Sequence, residues 1–304
     1  NSNPKEIFVS GFDSSPLSAD YDFITKDNEK TISKAITILS KLTNGSINIS
    51  LRKESDSFLR GLSDVVIHNV SGPHPSGNLS TIINKVSPIS KGDVIWTLNL
   101  PDLSIIGKAL LEGKFSAERI IALAGSSVSN PKYIKTLIGS NISSFIKLKE
   151  NNSRIISGNV LTGVKLESSA HVRYYSNEIT AIPEGNDYDL FGWAKPMFDK
   201  FSVSRALTFS WLFPNKKYDL NTNTNGEHRA FVVTGSFEEV FPLDIYPMQI
   251  LKACMYKDLD EMEALGMYEV SPEDFALTEF ICVSKQPHQN IIREGLDLMK
   301  KEIG

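Results

Sequence analysis

Cysteine is nearly absent: the 304 residues contain only Cys254 and Cys282. Two thiols cannot build a tetrathiolate cluster or a Cys-rich zinc site, and a chain of this length does not depend on the one disulfide they could form. Each sits in an apolar stretch without an adjacent Lys or Arg, so reduced thiols packed in a core are expected rather than redox work. An excess of charge is missing as well. With 32 Lys and Arg against 36 Asp and Glu, the net charge is −4, which gives no electrostatic footprint for nucleic acid or anionic lipid. No run approaches the ~20 apolar residues that cross a bilayer, so any membrane connection is expected to go through a partner.

Motifs for phosphate and hydrolytic chemistry are also lacking. There is no G-x-G-x-x-G and no G-x-x-x-x-G-K-[ST], hence no Gly-rich loop to bring backbone N–H groups onto a phosphate. G-x-S-x-G is absent, and with it the nucleophile elbow. The five histidines, His68, His74, His171, His228 and His288, include no i, i+4 pair and no H-E-x-x-H, which argues against a zinc hydrolase. The chain opens Asn1-Ser2-Asn3 without Met, signal peptide or transit peptide, which reads as a trimmed start with residues upstream.

What is present supports a folded protein: 41% hydrophobic and 22% charged residues exclude global disorder. A strand is expected over 5–12, ended by the turn Asp13-Ser14-Ser15-Pro16. A helix follows, with Ile32, Ala35, Ile36, Leu39 and Leu42 at helical spacing and Asn44-Gly45 as its stop, then alternation in Ile47 to Leu51. Strand, helix, strand predicts a βαβ unit and a parallel or mixed sheet. Asp64 to Ile67 reads as a buried strand and Val94 to Leu98 as another strand, and Pro101 and Gly113 bracket a helix. From about Phe115 the pattern changes to a small α+β module. It has paired strands over Arg119 to Ala124 and Lys132 to Ile138, a short helix over Asn141 to Leu148, and strands at Arg154 to Gly163 and Glu178 to Ile182. Asn186 to Glu227 reads as an irregular connector, with a strand over Arg229 to Thr234. Beyond Pro247 the chain reads as a small helical bundle. Asp258 and Glu261 are spaced as a capping box, and Ser271-Pro272-Glu273-Asp274 forms a second helix start.

Two segments are candidates for ligand contact. In Gly72-Pro73-His74-Pro75-Ser76-Gly77-Asn78, two prolines stiffen the backbone around one imidazole, and two glycines allow close approach. His74 could donate to a ligand carbonyl or move a proton; it could equally be an ordinary side chain on a rigid surface turn. Asp13 lies just past the first strand, where α/β folds place ligand contacts, yet Asp-Ser-Ser-Pro is also simply good turn sequence.

Ordered segments along the whole chain carry a resemblance. They are Phe8-Val9-Ser10-Gly11-Phe12-Asp13-Ser14-Ser15-Pro16-Leu17, Gly72-Pro73-His74-Pro75, Gly92-Asp93-Val94-Ile95-Trp96-Thr97 and Ser157-Gly158-Asn159-Val160-Leu161-Thr162-Gly163. Phe241-Pro242-Leu243-Asp244-Ile245-Tyr246-Pro247, Ala264-Leu265-Gly266 and Pro272-Glu273-Asp274-Phe275-Ala276-Leu277 complete the series. Together they resemble the A subunits of the sodium-translocating NADH:quinone oxidoreductases of bacterial inner membranes, whose members carry a further N-terminal portion like a biotinyl-carrier or lipoyl domain. The resemblance implies similarity to the flavin-binding subunit of respiratory complex I. In fold class that means α/β plus α+β: a Rossmann-like α/β domain over 1–115, an SLBB-type β-grasp domain over 116–186, the connector over 187–235 and a C-terminal helical domain over 236–304. It also implies a peripheral subunit on the cytoplasmic side of the inner membrane. The partners would be the other subunits of the sodium-pumping complex, the membrane subunits above all, and not nucleic acid. Phe12 to Pro16 stands where the complex I relative has an acidic flavin-site motif, without the neighbouring acids, and only Cys282 stands near the cluster position. No catalytic, cofactor or metal residue is therefore assigned in this chain; flavins and iron–sulfur belong to partner subunits. Ubiquinone is the candidate ligand, with His74 and Asp13 as its contacts. The rival expectations are an FMN- and NADH-binding dehydrogenase subunit of the complex I type, and a β-grasp module that recognises a soluble ligand.

Overall fold

The computed structural model describes residues 3–303 apart from 168, 187–188, 193, 196–197, 199 and 206–209. In its first part, β1 (Glu6–Ser10) leads through α1 (Tyr21–Thr25) and α2 (Glu29–Leu39) to β2 (Ile47–Arg52), then β3 (Val66–Val70), α3 (Leu79–Val86), β4 (Ile95–Asn99) and α4 (Leu100–Glu112). The four strands form one parallel sheet in the order β3-β2-β1-β4, with Val9 opposite both Ile49 and Leu98. The apolar periodicity of α2 buries Ile32, Ala35, Ile36 and Leu39 against Ile7, Val9, Ile47 and Ile49 of the strands and Leu100 and Leu103 of α4. Gly107 lets α4 press onto α2, because a Cβ there would lie 2.0 Å from the Thr31 carbonyl oxygen. The other sheet face holds Phe8 beneath Ile82 and Ile83 of α3. Helices thus lie on both faces. The chain steps from β1 to β2 and β3, then crosses to β4 on the far side of β1, so the strand order reverses beside β1.

The second part contains β5 (Glu118–Ala124), β6 (Lys132–Leu137), β7 (Ser153–Ser157), β8 (Val164–Leu166) and β9 (Glu178–Pro183), a mixed sheet in the order β6-β5-β9-β7-β8. Only β5 and β9 run parallel. The run Ile120-Ile121-Ala122-Leu123 is apolar throughout because both of its faces are covered. Ile121 and Leu123 join this module's own core, while Ile120 and Ala122 pack on the core of the first sheet. The expected helix over Asn141 to Leu148 is a single 3-10 turn, Ile142–Ser144. The chain around it is tied into loops instead: Ile142 N–H donates to Ala170 O, Ser129 N–H to Lys147 O and Lys149 N–H to Ser127 O.

The third part is helical: α5 (Pro247–Tyr256), α6 (Leu259–Ala264), α7 (Ala276–Ile281) and α8 (His288–Glu302). Met248, Ile250, Leu251, Met262, Phe275, Ile292 and Met299 close its core. Ser271 and Asp274 form a reciprocal capping box before α7, whereas Asp258 supplies only one half of such a box, accepting from Glu261 N–H. The strand expected over Arg229 to Thr234 has no ladder partner among the described residues. Hydrogen bonds from Arg229 N–H to Ser284 O and from Ser284 Oγ to Ala230 O pin it to the helical part instead. Phe231 tucks into that core, while Val233 stays 77% exposed. Of the connector expected over 187–235, the described residues form only turns and bends, and part of it lies outside the described residues. The helix α3 was not anticipated, although Leu79, Ile82, Ile83 and Val86 stand at helical spacing.

Candidate functional site

Open α/β sheets bind ligands beyond the carboxyl ends of their strands, where the strand order reverses. Here that place is occupied by the loop after β1 and the loop after β3, and they meet. Ser14 Oγ accepts from Gly77 N–H at 2.9 Å and lies 3.0 Å from His74 Nδ1, 60 positions away in sequence. Gly77 is required by this contact: a Cβ would stand 2.8 Å from both Ser14 N and Oγ. Asp13 turns its carboxylate inward on its own loop, accepting from Ser15 N–H at 2.7 Å and Ser15 Oγ at 2.6 Å. That is the turn role allowed for it by the sequence. The loop around His74 is pinned at its far end too. Asp274 accepts from Asn78 Nδ2 at 3.5 Å and from Ser80 Oγ, which ties the start of α3 to the helical part.

The half-buried imidazole of His74 has one unsatisfied atom. Its Nε2 is buried and has no hydrogen-bond partner. Burial holds its pKa below the usual histidine value, with the nearby Asp13 charge opposing, so the ring is neutral near pH 7. Where Ser14 Oγ donates to Nδ1, the ring proton sits on Nε2 and the unpartnered atom is a donor; where Nδ1 donates to Ser14 Oγ, it is an acceptor. The first of these tautomers suits a ligand carbonyl oxygen. The structure therefore brings Asp13 and His74 to one place but in different states: Asp13 braces its own loop, and His74 keeps one buried ring nitrogen without a partner.

Beneath the β1 loop lies a buried polar junction that the sequence did not reveal. Glu178, at the start of β9, is 4% exposed and accepts from Ala19 N–H at 2.6 Å. Burial first, and the Asp13 charge second, push its carboxyl up to about 8. Tyr21 receives Asn177 Nδ2 at 3.3 Å, and burial drives its phenol far above the ordinary tyrosine range. Arg119, buried on β5, donates to Asp102 of α4, to Ser176 O at 3.1 Å and to Asn177 Oδ1 at 3.2 Å. Burial raises the Asp102 pKa, and the Arg119 charge works against that rise. These residues sit on four separate elements and no short motif links them, so only the tertiary structure assembles them.

Neither cysteine forms a reactive centre. Cys254 packs its Sγ 3.8 Å from Met267 Sδ, and burial pushes its thiol up to about 11. Cys282 is wholly buried. Among the described residues no group of three or more His, Cys, Asp or Glu could hold a metal ion, and no helix is long and apolar enough to cross a membrane.

Comparison with known proteins adds the family. Residues 1–115 match a family model described as the NqrA second alpha/beta domain, and residues 120–168 match one described as the NQRA C-terminal domain. The chain is 35% identical to the A subunit of the Na(+)-translocating NADH-quinone reductase of Neisseria meningitidis serogroup B, over 99% of this chain and 68% of that protein. To the protein of the same name from Alcanivorax borkumensis it is 36% identical with the same coverage. The Mannheimia succiniciproducens protein is 35% identical over 98% of this chain and 67% of its own length. Identity at this level, sustained across all three parts of the fold, shows that the chain belongs to the NqrA family, the A subunits of the Na(+)-translocating NADH-quinone reductases.

Proposed function

We propose that the chain serves as a peripheral subunit of a sodium-translocating NADH–quinone reductase, docked on that complex's membrane subunits at the cytoplasmic side of the inner membrane. The observation that carries this is the 35–36% identity, over 99% of the chain, to proteins that bear the name of that subunit. NADH oxidation, quinone reduction and sodium export belong to the assembly, and this chain contributes architecture. Flavin and iron–sulfur chemistry reside in partner subunits. The parallel sheet with helices on both faces is read as a Rossmann-like domain over 1–115. The mixed sheet is read as a β-grasp module of the SLBB kind over 116–186, followed by the connector over 187–235 and the helical domain over 236–304.

In this reading the quinone contact is the His74 Nε2 proton, which would donate to a quinone carbonyl oxygen and so orient the ring without chemistry of its own. Asp13 contributes by bracing the loop that presents Ser14 to His74. Photo-labelling of the assembled reductase with a quinone analogue is expected to mark the loop 72–78; labelling that leaves this loop untouched overturns the assignment. Titration with FMN or NADH is expected to leave the chain's thermal stability unchanged. A site occupied at 100 times Kd would add about 2.7 kcal/mol, and a shift of that size would restore the dehydrogenase reading.

A further inference from the structure

Asp274 is only 1% exposed, and the groups that satisfy its carboxylate, Ser271, Ser80 and Asn78, are all uncharged. Burying such a charge is costly unless several hydrogen bonds or the positive end of a helix meet it. Both are present here, and they come from two distant parts of the chain. Oδ2 accepts from Ser271 N–H at 2.8 Å and from Ser271 Oγ at 3.0 Å, at its own helix start. Oδ1 serves the first turn of α3 instead. It accepts from Ser80 Oγ and, at 3.5 Å, from Asn78 Nδ2, which lie 194 and 196 positions away in sequence.

The helix α3 lacks what ordinarily fixes a helix start. Its first turn holds no Asp or Glu, and Asn78, at the N-cap position, makes no side-chain cap. The Asn78 amide turns to Asp274. One carboxylate thus stands at two helix starts, its own and that of the helix which directly follows the His74 loop. The rest of α3 is held independently: Ile82 and Ile83 pack on Phe8 of the sheet, and Asn84 Nδ2 donates to Glu269 of the helical part. Loss of the Oδ1 bonds therefore releases the start of α3 and the loop before it, not the whole helix. The other anchor of that loop is Ser14, which receives Gly77 N–H and lies 3.0 Å from His74 Nδ1. A shift at Ser80 reaches Gly77, three residues earlier, and with it the contact that sets the imidazole.

We propose that Asp274 is the positioning residue of the His74 site, holding the start of α3 through Ser80 so that the loop 72–78 keeps the imidazole against Ser14. This rests on the functional reading above in taking His74 as the ligand contact, and it adds the group of the helical part that holds that contact in place. Asp274 itself touches no ligand; it acts through Ser80.

The test separates the two oxygens. Ser80→Ala removes the hydroxyl on α3, at a position where Ala suits a helix, and leaves Ser271 bonded to Asp274. Ser271→Ala does the reverse: it weakens the other helix start and leaves the Oδ1 bonds. The histidine midpoints of the full chain are followed by NMR pH titration, with His74 identified by the signal lost in His74→Gln. Burial holds the His74 value below the usual one against the opposing Asp13 charge, so a loosened loop that admits water moves the midpoint up. The expected result is a rise of about half a pH unit or more in Ser80→Ala and none in Ser271→Ala. His288, enclosed in the helical part, should keep its midpoint in Ser80→Ala, which shows that this part stays folded. An unmoved His74 midpoint in Ser80→Ala, or an equal rise in both variants, overturns the proposal and leaves the quinone reading standing. In the assembled reductase, Ser80→Ala should lower labelling of the loop 72–78 by the quinone analogue severalfold; labelling at the wild-type level also overturns the proposal. A loop that escapes labelling already in the wild type, with the midpoint rise intact, overturns the quinone reading and upholds the part played by Asp274 in setting the imidazole.

Discussion

His74 and His288 each place Nδ1 against a hydroxyl, Ser14 Oγ at 3.0 Å and Thr278 Oγ1 at 2.9 Å, and each leaves Nε2 buried without a partner. Their surroundings separate them. His288 is fully enclosed in the helical part, with the Phe231 and Phe237 rings 5.5 and 4.8 Å away. Burial alone lowers its pKa to about 4. His74 stands half-buried on a loop at the carboxyl edge of a parallel sheet, beside Asp13 and above a junction of buried polar groups. An imidazole sealed among aromatic rings is packing material; one at the mouth of an α/β sheet, with an unpartnered ring nitrogen, is the group to which the proposed function assigns the ligand contact. The comparison extends to the regions themselves. The junction under the first sheet stores an acid that resists ionisation, and the helical bundle stores a base that resists protonation, so opposite pH changes should weaken them.

The largest effect is expected where charge is most deeply buried. Arg119→Ala strands Asp102 among apolar neighbours and should cost about 3–5 kcal/mol in urea unfolding; a loss below about 1 kcal/mol would show that the junction does not hold the two sheets together. Next comes the alkaline limb. The folded-state pKa of Glu178, at about 8, lies above its unfolded value, so its contribution is complete at low pH and disappears as pH rises from about 4.5 through 8. Glu178→Gln should flatten that limb and raise stability above pH 8 by roughly 2–4 kcal/mol; a variant that tracks the wild-type pH profile contradicts the assignment.

The acid limb belongs to His288. With a folded-state value near 4, below the ordinary 6.5, its contribution is complete above pH 6.5 and is lost as pH falls towards 4, by about 2–3 kcal/mol. His288→Leu should remove that loss. Thr278 Oγ1 would keep its bond to Phe275 O, so the variant should still fold. An acid limb that persists unchanged in the variant would place the titrating group elsewhere. The smallest stability change is predicted for His74→Ala, within about 1 kcal/mol, because Ser14 retains Gly77 as a partner. Labelling of the 72–78 loop by the quinone analogue should nonetheless disappear. A large loss of stability with labelling intact would make His74 the structural histidine and invert the comparison.

The amount legible in the sequence differed in the same way between regions. Beside the first sheet local period marked α2 and α4 but not α1 or α3: Ile32, Ala35, Ile36 and Leu39 bury as spaced, while Leu42 falls beyond the helix and is 47% exposed. Pro101 and Gly113 bracket α4 as expected, with Gly113 at φ 66°. Both candidate residues were visible as punctuation, Asp13 after a strand and His74 between prolines, but their meeting through Ser14 depends on a fold that places two loops side by side. The junction of Glu178, Asn177, Arg119, Asp102 and Tyr21 left no local trace, since each residue alone looks like an ordinary polar position. Asn141 to Leu148 and Arg229 to Thr234 had the propensity for a helix and a strand, but their backbone hydrogen bonds are claimed by other parts of the chain.

The role in the architecture of the complex is tested most directly by isolating the reductase from membranes that express this chain with its partner subunits, then separating the subunits under conditions that retain bound flavin. The account predicts the chain in one-to-one proportion with the membrane subunits and no flavin fluorescence in its own band. Recovery of the chain only outside the complex, or flavin travelling with it, would contradict the account.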